Sequence, residues 1–202
     1  MEGSLFLWFF WSVWVFVTFL VDKKNPYRLK LAAILLIVIF LSNSYFSIGT
    51  IEITWSGLFL LLCSYFFISN EKVIIIIYHS ICSLIISIAY VSFHLFEIFD
   101  PVWLIFKPEW MISICMWCLA VLLQKNLKSR IIIAVSGTLQ GDFLTAFILG
   151  KLQIPYSVAA FAYLDVCSII AALLICWSII ENAGAFLQNH IPFLEKAKQK
   201  SS

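Results

Sequence analysis

Charge is what this sequence has least of. Only 12% of its residues are Asp, Glu, Lys or Arg, and 63% are hydrophobic. A soluble domain carries about 25% charged residues, so a water-soluble globular fold is excluded for most of the chain. The net charge of +2 comes without a dense basic patch, which excludes a nucleic-acid-binding surface. No cysteine falls in a polar loop. Cys63, Cys82, Cys115, Cys118, Cys167 and Cys176 all lie in apolar stretches, so they read as small core fillers and not as a disulfide framework. Cys115 and Cys118 form a C-x-x-C, but no second pair and no histidine in the same stretch completes a zinc site. No metal and no cofactor is expected. H-E-x-x-H, the Walker A loop and G-x-G-x-x-G are absent. Ser136-Gly137 has the pair of an intramembrane serine protease, but no histidine follows in the last apolar run to activate the serine. That run also lacks the lysine a retinal protein needs. An enzyme is therefore not expected, and no internal repeat is visible.

What is present is a series of apolar runs separated by short charged loops. A helix needs about 20 residues to cross the hydrocarbon, and the runs are continuous, without the alternation of a membrane barrel. They predict an all-α integral membrane bundle of about seven transmembrane helices, over residues 5–21, 31–47, 55–68, 73–99, 109–123, 131–149 and 156–180. These make one domain over residues 1–194, followed by a short basic tail at 195–202. The first run has no Lys or Arg before it, so it reads as a span that stays, not as a cleaved signal. Trp8, Trp11 and Trp14 lie along one side of it as anchors. Asp100-Pro101 ends the fourth run, and residues 101–110, with Trp103 and Trp110, read as a segment at headgroup level. Gly184 and Pro192 are expected to interrupt the last helix, leaving residues 182–194 along the interface.

Lys and Arg set the orientation. Eleven of the thirteen fall in alternate loops and the C-terminus, and only Lys107 and Lys151 fall on the other side. The positive-inside rule then puts the N-terminus outside and the C-terminus in the cytoplasm of a multi-pass cell-membrane protein.

Polar residues within such runs are costly and are candidates for function. The segment Ser136-Gly-Thr-Leu-Gln-Gly-Asp142 is the densest example. Asp142 lies about 12 Å from the outer end of the sixth span, and Asp165 about 15 Å from the outer end of the seventh, at a helical rise of about 1.5 Å. The two are expected at similar depth on neighbouring antiparallel helices. His94 and Glu97 share a face at the outer end of the fourth. Two readings follow. In one, His94, Glu97, Gln140, Asp142 and Asp165 line an outward-facing polar pocket for a small molecule or ion. In the other, the aspartates are structural, with a protonated Asp142 donating a hydrogen bond across helices. Gly137 and Gly141 form a G-x-x-x-G for close packing, most economically against the alanines at 159, 160 and 162 of the seventh span. Partners are the lipid bilayer and a membrane protein or a second copy of the chain.

Met1-Glu2-Gly3 followed by Trp8-Phe9-Phe10-Trp11, the stretch from Phe93 to Trp103, the Gly137–Gly141 segment and Asp165 together resemble the YphA family of Bacillus-type membrane proteins. The resemblance covers nearly the whole chain. It implies a multi-pass membrane protein with a link to spore formation and supplies no catalytic residues; an envelope structural or partner role is the expectation that follows from the absence of catalytic motifs.

Overall fold

The structure is a computed structural model. It describes residues 2–200 apart from 24, 50, 70, 101 and 103, with side chains to residue 184 except at 26 and 48. Seven α-helices are present among the described residues: α1 (Ser4–Val15), α2 (Pro26–Leu41), α3 (Trp55–Ser69), α4 (Val73–Phe99), α5 (Pro108–Leu123), α6 (Leu127–Lys151) and α7 (Phe161–Lys200). A π-helical turn, Phe16–Leu20, extends α1.

The helices begin and end for local reasons. Asn25 caps α2 by accepting the Tyr27 N–H at 3.0 Å, and Pro26 occupies the first helical position. The helix therefore starts five residues before the predicted span, and residues 42–47 leave it for a turn and a strand. The π turn leaves carbonyls free at its end. The Arg28 guanidinium takes those of Val17, at 3.3 Å, and Thr18. The helix α7 runs past Gly184 and Pro192 to Lys200, where an interruption is expected. Its last turns are rich in Glu, Ala, Lys and Gln, which are strong helix formers. Pro101 and Trp103, read above as helix terminator and anchor, lie outside the described residues.

The fold is not purely helical. β1 (Tyr45–Ile48) and β2 (Ile51–Thr54) form an antiparallel hairpin, and β3 (Tyr156–Val158) pairs with β2 in parallel, in the order β1-β2-β3. Gly49 sits in the hairpin connection at φ 64°. This sheet closes one end of the bundle, where α2, α3, α6 and α7 meet. Strands of three or four residues are too short to show a period of two, and β3 comes from a part of the chain read as the start of the last span.

α6 is the centre. In its most apolar window 61% of the residues are buried, against 33% for α4 and 50% for α7. It packs on α3, α4, α5, α7 and two strands, and its largest interface is with α4. α1 lies on α7 and α2, and α5 on α7 and α4. Among the described residues, three helices are long and apolar enough to cross a membrane: α4, α6 and the Phe161–Gly184 part of α7. Ser4–Leu20, α3 and α5 are shorter apolar helices.

Candidate functional site

Asp142 is fully buried, halfway along the face of α6 that meets the sheet end. One of its oxygens accepts the Ala159 N–H at 2.6 Å. The other accepts the Tyr156 hydroxyl at 2.5 Å and the Tyr90 hydroxyl at 3.4 Å. The expected donor role for Asp142 is therefore reversed: the carboxylate accepts from all three. Ala159 has φ 54°, in the left-handed region where a non-glycine residue is uncommon. The carboxylate thus pins the backbone at the turn between β3 and α7. Tyr156 is in β3, outside the helices. Burial first, and then the Asp142 carboxylate, push its phenol above the ordinary value, which keeps it a donor.

Asp165 does not meet Asp142. Its two oxygens accept the backbone N–H groups of Gly3 and Phe6, each at 2.7 Å. These are unsatisfied donors of the first turn of α1, so Asp165 caps a helix about 160 residues away in sequence by accepting N–H groups as a local Ncap side chain does. The negative charge also suits the positive end of the helix dipole. Gly3 is at φ 83°, and a Cβ there meets the Phe161 ring at 2.6 Å. A glycine is required on both counts.

Gln140 belongs to a third group. Its amide donates to the Tyr65 hydroxyl at 2.7 Å, and its carbonyl accepts from Ser83 at 3.2 Å. Ser136 donates to Ser83 at 3.1 Å. Gln140 and Asp142 are two residues apart on a helix, about 200° around its axis, so they face different neighbours. Gly137 and Gly141 face α4, not the alanines at 159, 160 and 162. A Cβ on Gly137 stands 2.7 Å from Ile86 Cβ, and one on Gly141 stands 2.9 Å from Tyr90 Cβ.

His94 and Glu97 do line a cavity. A cleft of about 550 Å³ opens at the sheet end between α4, α5, β3 and the start of α7. Its walls include Tyr90, Tyr156 and Tyr163, with Glu109 from the first turn of α5 and Ala160 from the turn before α7. His94 Nδ1 is 3.1 Å from Glu97 Oε2, and its ring packs on Tyr90 at 4.6 Å. His94 Nε2 is buried with no hydrogen-bond partner among the described residues. Tyr163 shares a 2.9 Å hydrogen bond with Thr138. Neither aspartate borders the cleft. Asp142 lies behind it and holds two of its tyrosines.

The five residues expected in one pocket thus divide between the cleft, the support behind it, a helix cap and a separate amide network. The three tyrosines, Glu109 and Ala160 escape a reading based on charge within spans. Tyr90, four residues before His94 and seven before Glu97 on α4, is the one of these that helical spacing could have added. An ion pair between a buried arginine and an exposed glutamate stands at the opposite end. Arg130, 4% exposed, makes two bonds to Glu181 at 2.7 and 3.0 Å, and Trp177 adds a third at 2.7 Å. Among the described residues, no cluster of three or more His, Cys, Asp or Glu is placed to hold a metal.

A family model described as YphA-like integral membrane protein matches residues 2–200. A protein of Bacillus subtilis (strain 168), described as the uncharacterised protein YphA, is 28% identical over 172 residues, which is 83% of this chain and 83% of that one. No solved structure matches.

Proposed function

The chain belongs to the YphA-like integral membrane protein family, and on that premise we propose that it is a non-catalytic, multi-pass protein of the cell membrane that binds a small ligand in the cleft at its sheet end. Seven spans, with the N-terminus outside and the C-terminus cytoplasmic, turn that end and its cleft outward. The observation that carries this reading is the cleft itself. Its volume lies within the about 300–1,000 Å³ of small-molecule sites, and it joins aromatic walls to a few polar groups. The buried Asp142 carboxylate serves it from behind, since it fixes Tyr90, Tyr156 and the Ala159 turn.

Ala160→Trp tests the reading, because the new ring fills the cleft from the turn before α7. The full chain in lipid nanodiscs is expected to retain or take up a small molecule in native mass spectrometry. The Trp variant is expected to lose it while keeping its thermal unfolding midpoint. A second reading makes the chain a structural partner of other envelope proteins, sporulation included. It is favoured by Asp142 and Asp165, whose hydrogen bonds are all internal. A stoichiometric protein crosslinked in native membranes, with no small molecule retained by the wild type, carries that second reading instead.

A further inference from the structure

The chemistry of the cleft walls is one-sided. Glu97 and Glu109 both line it, and among the described residues no Lys or Arg does. The nearest cations in sequence are placed elsewhere. Lys107 is exposed outside the lining, and Lys151 lies over the Phe147 ring at 4.7 Å. Glu97 has one oxygen on His94, and the Glu109 carboxylate has no partner among the described residues, although Glu109 is half-buried. The rest of the wall is mostly apolar and includes Tyr90, Tyr156 and Tyr163, with the small Ala160. An anion in this space meets two carboxylates and no Lys or Arg among the described residues. A neutral ligand leaves the Glu109 carboxylate partly desolvated and unpaired, which is costly. A cation satisfies the carboxylates, and aromatic faces within about 6 Å add to its binding.

We infer that the cleft takes a protonated amine, its ammonium at the Glu97 and Glu109 carboxylates and its body against the three tyrosines. This rests on the binding role proposed above and names its ligand class. His94 sets the orientation of Glu97. The cleft is at the end of the bundle, where an amine arrives either as a free solute or as the headgroup of a neighbouring phospholipid.

The test uses the full chain in nanodiscs of phosphatidylglycerol, which contains no amine. Three probes of one shape are titrated by calorimetry: phenethylamine, 2-phenylethanol and phenylacetate. Saturable binding of the amine is expected, at least tenfold tighter than either control. Glu97→Gln and Glu109→Gln together are expected to weaken it tenfold or more, at an unchanged unfolding midpoint. Adding phosphatidylethanolamine to the discs separates the sources. Competition with phenethylamine assigns the site to the lipid headgroup, and unchanged affinity assigns it to a free amine. Equal or tighter binding of the alcohol or the acid, abolished by Ala160→Trp, overturns the amine assignment and leaves the cleft a binding site. Failure of all three probes in both kinds of disc overturns both.

Discussion

Asp165 commits both carboxylate oxygens to a helix of which it is not a part. Replacing an N-cap carboxylate typically costs about 1 kcal/mol, and up to about 2 in folded proteins. The cap here is buried, so Asp165→Ala is expected at the upper end of that range. Asp165→Asn keeps one acceptor and is expected to lose less. Thermal unfolding in detergent ranks the variants, and amide exchange at residues 3–7 localises the effect: the Ala variant should lose protection there before anywhere in α6. Equal protection in all three forms would show that α1 is held by its apolar contacts alone. That Asp142 and Asp165 are buried and important is legible in the sequence, since a carboxylate in an apolar run is too costly to persist without partners. Those partners are not legible. Every group the two carboxylates accept from is a backbone N–H or a phenol brought in by the chain's return, and Asp165 is satisfied by the backbone of residues 3 and 6. Sequence depth alone brought the two aspartates together. Their true neighbours are decided by which face of each helix they occupy.

At the scale of elements, the α4–α6 contact governs the packing. Gly137 and Gly141 let the Ser83–Tyr90 side of α4 approach so closely that backbone carbonyls of Ser83 and Ser87 stand 2.8 and 3.0 Å from where a Cβ goes. Backbone cannot yield as a flexible side chain can, so overpacking here costs about 1–3 kcal/mol. Gly137→Ala is expected to destabilise the chain by that amount. Gly184→Ala, with nothing within 4 Å, is expected to be neutral or to gain up to about 1 kcal/mol from reduced chain entropy. Denaturant titration of both variants checks the contrast, and light scattering should show the same oligomeric mass for Gly137→Ala and the wild type, because the motif is used within the chain. The G-x-x-x-G is legible as a packing motif, but its partner helix is not. Spacing says that two helices come close and is silent on which. The helices themselves are largely legible because long apolar runs admit few alternatives in a bilayer. α4 falls on Val73–Phe99, as its run predicts. The sheet is not legible, because its hydrogen bonds join residues 51–53 to 156–158 and its strands are too short to carry a pattern of their own.

For the molecule as a whole, the question is which end faces the cytoplasm. Three of the charged segments that the Lys and Arg count assigns to one side lie next to one another. Lys128, before α6, lies 3.5 Å from Glu71, before α4, and Arg130 grips Glu181 where α7 leaves the apolar core. The starts of α4 and α6 and the far end of the apolar part of α7 therefore lie together, with α7 antiparallel to the other two, and the sheet closes the other end. Not every helix matches the hydrocarbon in length. The 15 residues of α3 rise about 22 Å, against about 30 Å of hydrocarbon. A bilayer accommodates such a mismatch by local thinning or by drawing flanking residues toward the interface, at fractions of a kcal/mol per ångström. A short helix thus does not by itself break the alternation. The charge asymmetry is the stronger argument, because it runs through loop after loop, whereas length varies with tilt. Single cysteines placed in a cysteine-free background decide the matter. A membrane-impermeant maleimide applied to intact cells is expected to label Lys107→Cys and Ile51→Cys and to miss Lys128→Cys until the membrane is opened. The reverse pattern would turn the cleft toward the cytoplasm, and any amine bound there would come from inside the cell. Labelling of all three from outside would mean that α5, which separates Lys107 from Lys128, does not cross, and the seven-span arrangement would fall with it.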